Sequence, residues 1–278
     1  MAGVRTRVLH LSDLHFGTHA ETRLEPGLES LIERVDPELI IASGDLTHRG
    51  RAAQHDRAAA FLQGLGRPVL AVPGNHDIPY RPIARFTRTW KQFERHWETT
   101  EPVYRSDVLF VVGLNSVRPW LQQGGRLRSA QLARAAELLP QAPPTALRVV
   151  VLHHHLLGAP WRSRKKPVAR RSAVLAALVD AGAELILAGH IHQAAVSERH
   201  EFEVVSGEIR GATVSIAPGL GQPRPNRRGE ARGLLVYECE EEALTVETYI
   251  WREDDWGLTA VRRFPRGRAP LAAQPAPA

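Results

Sequence analysis

Five short stretches put proton- and metal-handling side chains directly after apolar runs: SDLH (residues 12–15), SGD (43–45), GNHD (74–77), LHHH (152–155) and GHIH (189–192). Two aspartates, Asp13 and Asp45, join Asn75 and the histidines His15, His153, His190 and His192 in an oxygen and nitrogen donor set. That set suits first-row divalent ions rather than calcium or an iron–sulfur cluster. Seven donors exceed what one ion with a bound water uses, so the count points to two ions sharing a carboxylate. In the D-x-H and H-x-H pairs, an extended backbone puts residues i and i+2 on the same side, within reach of one ion. Gly44, Gly74 and Gly189 precede Asp45, Asn75 and His190, where a missing Cβ permits sharp turns and close approach. Each stretch alone is weakly specific. All five in order, each following an apolar run, are specific.

The elements that must position these residues read as alternating strands and helices, the pattern of a layered α/β fold. Strands are expected in RVLHLSD (7–13), PELIIASGD (37–45), RPVLAVPGNHD (67–77), VLFVVGLNS (108–116), LRVVVLHHH (147–155) and ELILAGHIH (184–192). Helical spacing marks 23–35, 52–66, 130–139 and 168–182, with Ser129 as the N-cap of the third. The stretch 81–100 reads as one amphipathic helix burying Phe86, Trp90, Phe93 and Trp97, with a basic cap over the site as the functional alternative. Loops at the carboxyl ends of parallel strands share one edge of a sheet, so the five polar loops can meet in one crevice. After residue 193, short β-like runs such as ATVSIAPG and RGLLVYECE look like the outer strands of a second sheet. No linker divides the chain, so a single domain is expected over 1–266, followed by a Pro- and Ala-rich tail at 267–278 expected to be disordered.

Composition bounds the rest. The 278 residues are 43% apolar, ample for a core, and carry a formal charge of +6, which suits anionic partners without choosing among nucleotide, nucleic acid and lipid headgroup. The single cysteine, Cys239, excludes an intrachain disulfide and a thiolate metal cluster. No run approaches the roughly 18 apolar residues of a membrane span, and the N-terminus has no long apolar run before Asp13, so a cytoplasmic protein is expected. Oligomeric state is not legible.

The order D-x-H, G-D, G-N-H-D, H, G-H-x-H resembles the calcineurin-like metallophosphoesterase superfamily, and HLSDLHFG, VPGNHD, LHHH and GHIHQ are most similar to its bacterial class III cyclic-nucleotide phosphodiesterases. The resemblance runs from Asp13 to His192 and implies a two-sheet βαβ sandwich flanked by helices, with a dinuclear site at the loop edge. It implies that Asp13, His15, Asp45 and His192 hold one ion and that Asp45, Asn75, His153 and His190 hold the other, with Asp45 bridging. The ions expected are Mn, Fe or Zn. One departure is HHHLLG, where the family often has proline soon after the fourth motif's histidine; the strand end favours His153 over His154 as the ligand.

Two such ions generate hydroxide from water near neutral pH and bind phosphate oxygens, so a small anionic phosphodiester, cyclic or otherwise, is the expected substrate. An alkoxide leaving group calls for a proton donor. His76 is the candidate, with Asp77 orienting its imidazole. His48, Arg49 and His154 are candidate substrate contacts, and His155 is a further group near the site. The basic segment APWRSRKKPVARR (159–171) reads equally as a phosphate clamp and as a solvated loop. Alternatives on the same chemistry are a nuclease, favoured by the positive charge, and a nucleotide-lipid pyrophosphatase. A non-catalytic interaction module on the same scaffold is opposed by the filled ligand positions.

Overall fold

Successive residues of each central strand point to opposite faces, and in this chain both faces are apolar. In β1 (Thr6–Leu11), Leu9 and Leu11 pack outward while Val8 packs inward; in β2 (Leu39–Ala42), Ile40 and Ala42 face outward while Leu39 and Ile41 face inward. Strands buried on both faces read as near-continuous apolar runs, which is why VLHL, interrupted only by the buried His10, and LIIA precede the polar motifs. The computed structural model describes residues 5–18, 25–159, 164–200, 211–221, 230–252 and 255–266.

Two six-stranded mixed sheets stack face to face. In the first, β1, β2 and β3 (Val69–Ala71) are parallel, and β10 (Gly233–Cys239), β11 (Ala243–Arg252) and β12 (Asp255–Pro265) extend it antiparallel from β1, giving the order β12-β11-β10-β1-β2-β3. The second runs β4-β5-β6-β7-β9-β8, from β4 (Val103–Arg105), β5 (Leu109–Gly113), β6 (Leu147–Val151), β7 (Leu185–Ala188), β8 (Ala195–His200) and β9 (Gly211–Ile216). Within it β5, β6, β7 and β9 are parallel. The inner faces meet through Val8, Leu39, Ile41, Val149, Val151, Leu187 and their neighbours. Helices α1 (Glu25–Val35) and α2 (Ala52–Gly64) cover the first sheet through Leu28, Leu31, Ala58 and Leu62. Helices α5 (Ser129–Leu138) and α6 (Arg171–Asp180) cover the second through Ala135, Val174 and Leu178. The α/β two-sheet sandwich is as the sequence led us to expect.

Three local expectations are corrected. The strands after residue 193 are not all outer strands of a second sheet: β8 and β9 are, whereas β10–β12 extend the first sheet from β1. The stretch 81–100 is two short helices, α3 (Pro82–Thr87) and α4 (Lys91–Trp97), because the backbone leaves helical geometry at Arg88 (φ −140°, ψ 37°). With the chain bent there, Phe93 is buried but Phe86 is left 61% exposed. Arg128 rather than Ser129 is the N-cap of α5: its N–H donates to Gln131 Oε1 (2.9 Å), and Ser129 is the first helical residue. The tail 267–278 and residues 160–163 of the basic segment, Arg162 among them, lie outside the described residues. Among the described residues, no helix is long and apolar enough to cross a membrane.

Candidate metal centre

The loops after β1, β2, β3, β6 and β7 all leave the carboxyl ends of their strands at one edge of the sandwich, so the site draws on both sheets. Backbone bonds tie the loops together: Asp13 N–H donates to Gly44 O and His15 N–H to Asp45 O (both 2.9 Å), and Gly189 N–H donates to His153 O (3.0 Å). Across the sheets, His153 Nδ1 donates to Ser43 O (2.8 Å) and His190 N–H to Asp13 Oδ2 (2.8 Å).

Asp13, His15, Asp45, His190 and His192 all adopt left-handed backbone, with φ between 51° and 75°. The extended geometry expected for the D-x-H and H-x-H pairs is therefore wrong, although both members of each pair do face the site while Leu14 and Ile191 between them are buried in the core. Left-handed backbone is costly for residues with a Cβ, and it persists only where the surroundings enforce it, most often at functional sites. The surroundings here are tight. A Cβ on Gly189 would lie 1.7 Å from Ser12 Oγ, and one on Gly44 (φ +94°) would lie 2.7 Å from both Gly74 N and His153 Nδ1.

His15, His48 and His76 bring ligand atoms within 4.8 Å of one another, and the expected donors form two further such clusters, Asp13–His15–His192 and Asp45–His153–His190. Asp45 lies between them, Oδ2 at 3.9 Å from His15 Nε2 and Oδ1 at 3.4 Å from His153 Nε2. Asn75 Oδ1 is 3.2 Å from His153 Nε2. All seven expected donors converge.

A cation fits both clusters. Carbonyl acceptors fix two tautomers: His153 uses Nδ1 on Ser43 O, and His190 uses Nε2 on Gln123 O (3.0 Å). The remaining lone pairs, His153 Nε2 and His190 Nδ1, then face each other at 3.2 Å, a contact that needs positive charge between them. In the other cluster His15 Nε2 and His192 Nε2 lie 3.1 Å apart, with Asp13 Oδ1 3.0 Å from His192 Nε2. Asp13 Oδ1 and Asp45 Oδ2 are buried and accept no hydrogen bond. Buried carboxylate oxygens without donors are expensive unless a cation reaches them.

The charges point the same way. Burial holds His15 and His190 well below the usual histidine range, so both offer neutral imidazoles. Burial also opposes ionisation of Asp13 and Asp45, but the adjacent His192 and His153 respectively lead the interactions that bring these carboxyls well below the usual range. Burial disfavours a proton on His153 too, yet the Asp45 carboxylate outweighs it and raises that imidazole to about 9. In the absence of an ion, a proton on His153 takes up the positive position.

Residues 6–194 match the calcineurin-like phosphoesterase family. The chain belongs to that family. Its members depend on a dinuclear metal centre, and both clusters above can bind metal. The chain is 30% identical over 174 residues to a probable cyclic nucleotide phosphodiesterase of Synechococcus, covering 60% of this chain and 63% of that protein. It is 28% identical over 180 residues to the 3′,5′-cyclic adenosine monophosphate phosphodiesterase of Haemophilus influenzae, covering 61% and 60%. The chain thus spans about three fifths of the length of these relatives. A dimetal phosphatase from Danio rerio shares the fold, with a TM-score of 0.63 at 13% identity over 94% of this chain and 99% of the other.

Around the donors, the calcineurin-like loops place the other expected residues. His76 is half-buried at the rim, its ring centroid 5.0 Å from that of His15, and its Nδ1 donates to His48 O (2.8 Å). Asp77 does not orient that imidazole. Its carboxylate accepts from Gly74 N (2.8 Å), Leu46 N (3.2 Å), Thr47 N (2.8 Å) and Thr47 Oγ1 (3.0 Å), so it joins the second and third loops instead. The expectation failed because Asp77 points back beneath the loop, where unpaired amides needed an acceptor. The His48 ring stacks on His76 at 5.8 Å, and the Arg49 guanidinium lies 6.0 Å from the Tyr80 ring centroid. His154 is fully buried against His190 (ring centroids 4.6 Å apart), with Nδ1 paired to Ser116 Oγ (2.8 Å). His155 stacks near the same ring at 5.9 Å, and burial lowers its pKa to about 4.

Lys165, in the basic segment read either as a phosphate clamp or as a solvated loop, donates from its ammonium to His190 O. Two supporting groups went unnoticed in the sequence. Ser12 Oγ donates to Asp13 Oδ2 (2.7 Å), and Ser116 Oγ pairs with His154 Nδ1. Ser116 ends the run VVGLNS, so β5 too carries a polar loop to this edge. That pattern was available, since 108–116 reads as a strand with the same kind of polar ending.

Proposed function

We propose that the chain is a dinuclear-metal phosphohydrolase, a phosphodiesterase acting on cyclic or other small nucleotides. The observation that carries this is the pair of buried His–Asp clusters joined through Asp45, with two carboxylate oxygens that accept no hydrogen bond. Asp13, His15, Asp45 and His192 would hold one ion, and Asp45, Asn75, His153 and His190 the other. The donor types suit Mn, Fe or Zn. Such an ion pair, when bound, supplies a nucleophile from water near neutral pH and neutralises phosphate charge. The cyclic nucleotide phosphodiesterase relatives support the diester class.

The chain's own residues supply the rest. His76 projects from the loop that carries Asn75, and its Nδ1–H is engaged by His48 O, so Nε2 is the free position, and in the imidazolium form it is the atom that hands a proton to a leaving alkoxide. Ser43 O and Gln123 O fix the tautomers of His153 and His190, so neither ring has to reorient to present its lone pair.

The test is metal content and hydrolysis measured together: metals per chain, then bis-p-nitrophenyl phosphate, p-nitrophenyl phosphate and cyclic AMP with Mn²⁺ and with chelator. Two metals and chelator-sensitive diesterase activity are expected. A chain that binds no metal and leaves all three substrates intact in Mn²⁺ would sink the reading.

A further inference from the structure

Beside His76 the surface opens into a cleft of about 560 Å³ that the reaction described above does not use. Its walls carry Arg49, Arg51, Arg81, Arg88, Lys91 and Tyr80, from the loop after β2, the start of α2, and the α3–α4 segment. Among the described residues no carboxylate lines it, and none of those five cations forms an ion pair with a carboxylate. The first turn of α2, which opens here, carries no acidic residue either. Five like charges around one cleft repel one another and attract an anion. Arginine forks suit a phosphate.

The cleft is joined to the centre by a row of rings. The ring centroids of His15 and His76 lie 5.0 Å apart and those of His76 and Tyr80 6.2 Å apart, and the Arg49 guanidinium lies 6.0 Å from the Tyr80 ring centroid. Tyr80 is 56% exposed, so part of its surface is open to a base. A cyclic mononucleotide has a single phosphate, which the metal edge would hold. Its base can reach Tyr80, but it brings no second anion to the five cations.

We propose that the cleft holds a second phosphate, carried by the leaving group, so that the preferred substrate is a diester whose leaving nucleoside bears a phosphomonoester. This rests on the phosphodiesterase reading above and narrows its substrate class. The cleft lies on the His76 side, where that reading places the leaving oxygen. A 5′-phosphorylated dinucleotide, pApA, is a small compound of this kind. Water adds to the scissile phosphorus, the phosphorus–O3′ bond breaks, and the 3′-oxygen departs with a proton from His76. One pApA and one water give two 5′-AMP, with no oxidant or reductant.

The test compares pApA with ApA, which lacks only the terminal phosphate. With the full chain in Mn²⁺, kcat/KM for pApA should exceed that for ApA by about tenfold or more, and the double variant R88Q/K91Q should lower this ratio by a similar factor. A second measurement titrates both dinucleotides into the full chain in chelator, without turnover. There pApA should bind tighter than ApA, and R88Q/K91Q should remove the difference. Hydrolysis of both compounds at equal kcat/KM, with equal binding, overturns the cleft assignment and leaves the phosphodiesterase reading intact. No hydrolysis of any diester, with tighter binding of pApA that the double variant abolishes, overturns the phosphodiesterase reading and supports the cleft.

Discussion

His10 and His15 flank the same aspartate, and both are buried, yet their surroundings differ in kind. Between the sheets, Tyr237 Oη donates to Ser215 Oγ (2.7 Å), so His10 Nδ1 donates to Tyr237 Oη (3.2 Å) and His10 Nε2 accepts from Ser43 Oγ (2.8 Å). Both ring nitrogens of His10 have partners. At the loop edge, His15 Nδ1 has none, Asp13 Oδ1 and Asp45 Oδ2 accept no hydrogen bond, and ring nitrogens face one another. A fully paired buried network is structure, whereas an incompletely paired one is a place for a ligand. Ser43 belongs to both: its hydroxyl serves His10 and its carbonyl holds His153.

The contrast can be broken most severely at Asp45. Asp45→Ala removes the carboxylate that faces both clusters, and hydrolysis of bis-p-nitrophenyl phosphate should fall to the level seen in chelator, with metals per chain reduced. Retention of two tightly held metals would show that Asp45 is no bridge. Next in size is His76→Ala, which should keep both metals while slowing hydrolysis of an alkoxide-leaving diester by ~10²- to 10⁴-fold. Its effect should be much smaller with a p-nitrophenolate leaving group, which needs no proton. Equal losses on both substrates would remove His76 from the acid role.

A smaller effect is expected one layer out. Gly189→Ala drives a Cβ against Ser12 Oγ, which holds Asp13, and should weaken metal binding by roughly 10- to 100-fold, as read by Mn²⁺ titration. Gly64→Ala, with open space around its Cβ, is the control and should not change it.

The smallest change sharpens the structural side. His10→Phe should leave metal content intact and cost about 1–3 kcal/mol in urea unfolding, because Ser43 Oγ loses its buried acceptor. Burial, against the weaker pull of Asp13, depresses the His10 pKa from 6.5 to about 3. The unfolded chain therefore binds this proton first. The contribution of a neutral His10 is complete above about pH 6.5 and is lost as the pH falls toward 3. In the metal-free chain, His10→Phe should flatten part of that acid slope; an unchanged slope would mean that His10 does not titrate this way.

Most of the sandwich was legible because strands buried on both faces leave an apolar run that only a polar loop interrupts. The seven candidate donors were legible for the same reason, each lying at such an interruption. Residues 81–100 were misread because Phe86, Trp90, Phe93 and Trp97 have helical spacing regardless of the break at Arg88 that exposes Phe86. Asp77 was misread because adjacency in GNHD says nothing about which way a side chain turns.

By itself, then, the sequence determined the layered α/β class, the donor types and the order in which they occur, since residue chemistry and hydrophobic period are local properties. Which of two buried histidines keeps an unpaired nitrogen, which sheet each late strand joins, and which cations gather in one cleft beside His76 were decided only by the tertiary structure. Those depend on pairing between residues as distant as His10 and Tyr237 or Asp13 and His190, and no local pattern encodes such a distance.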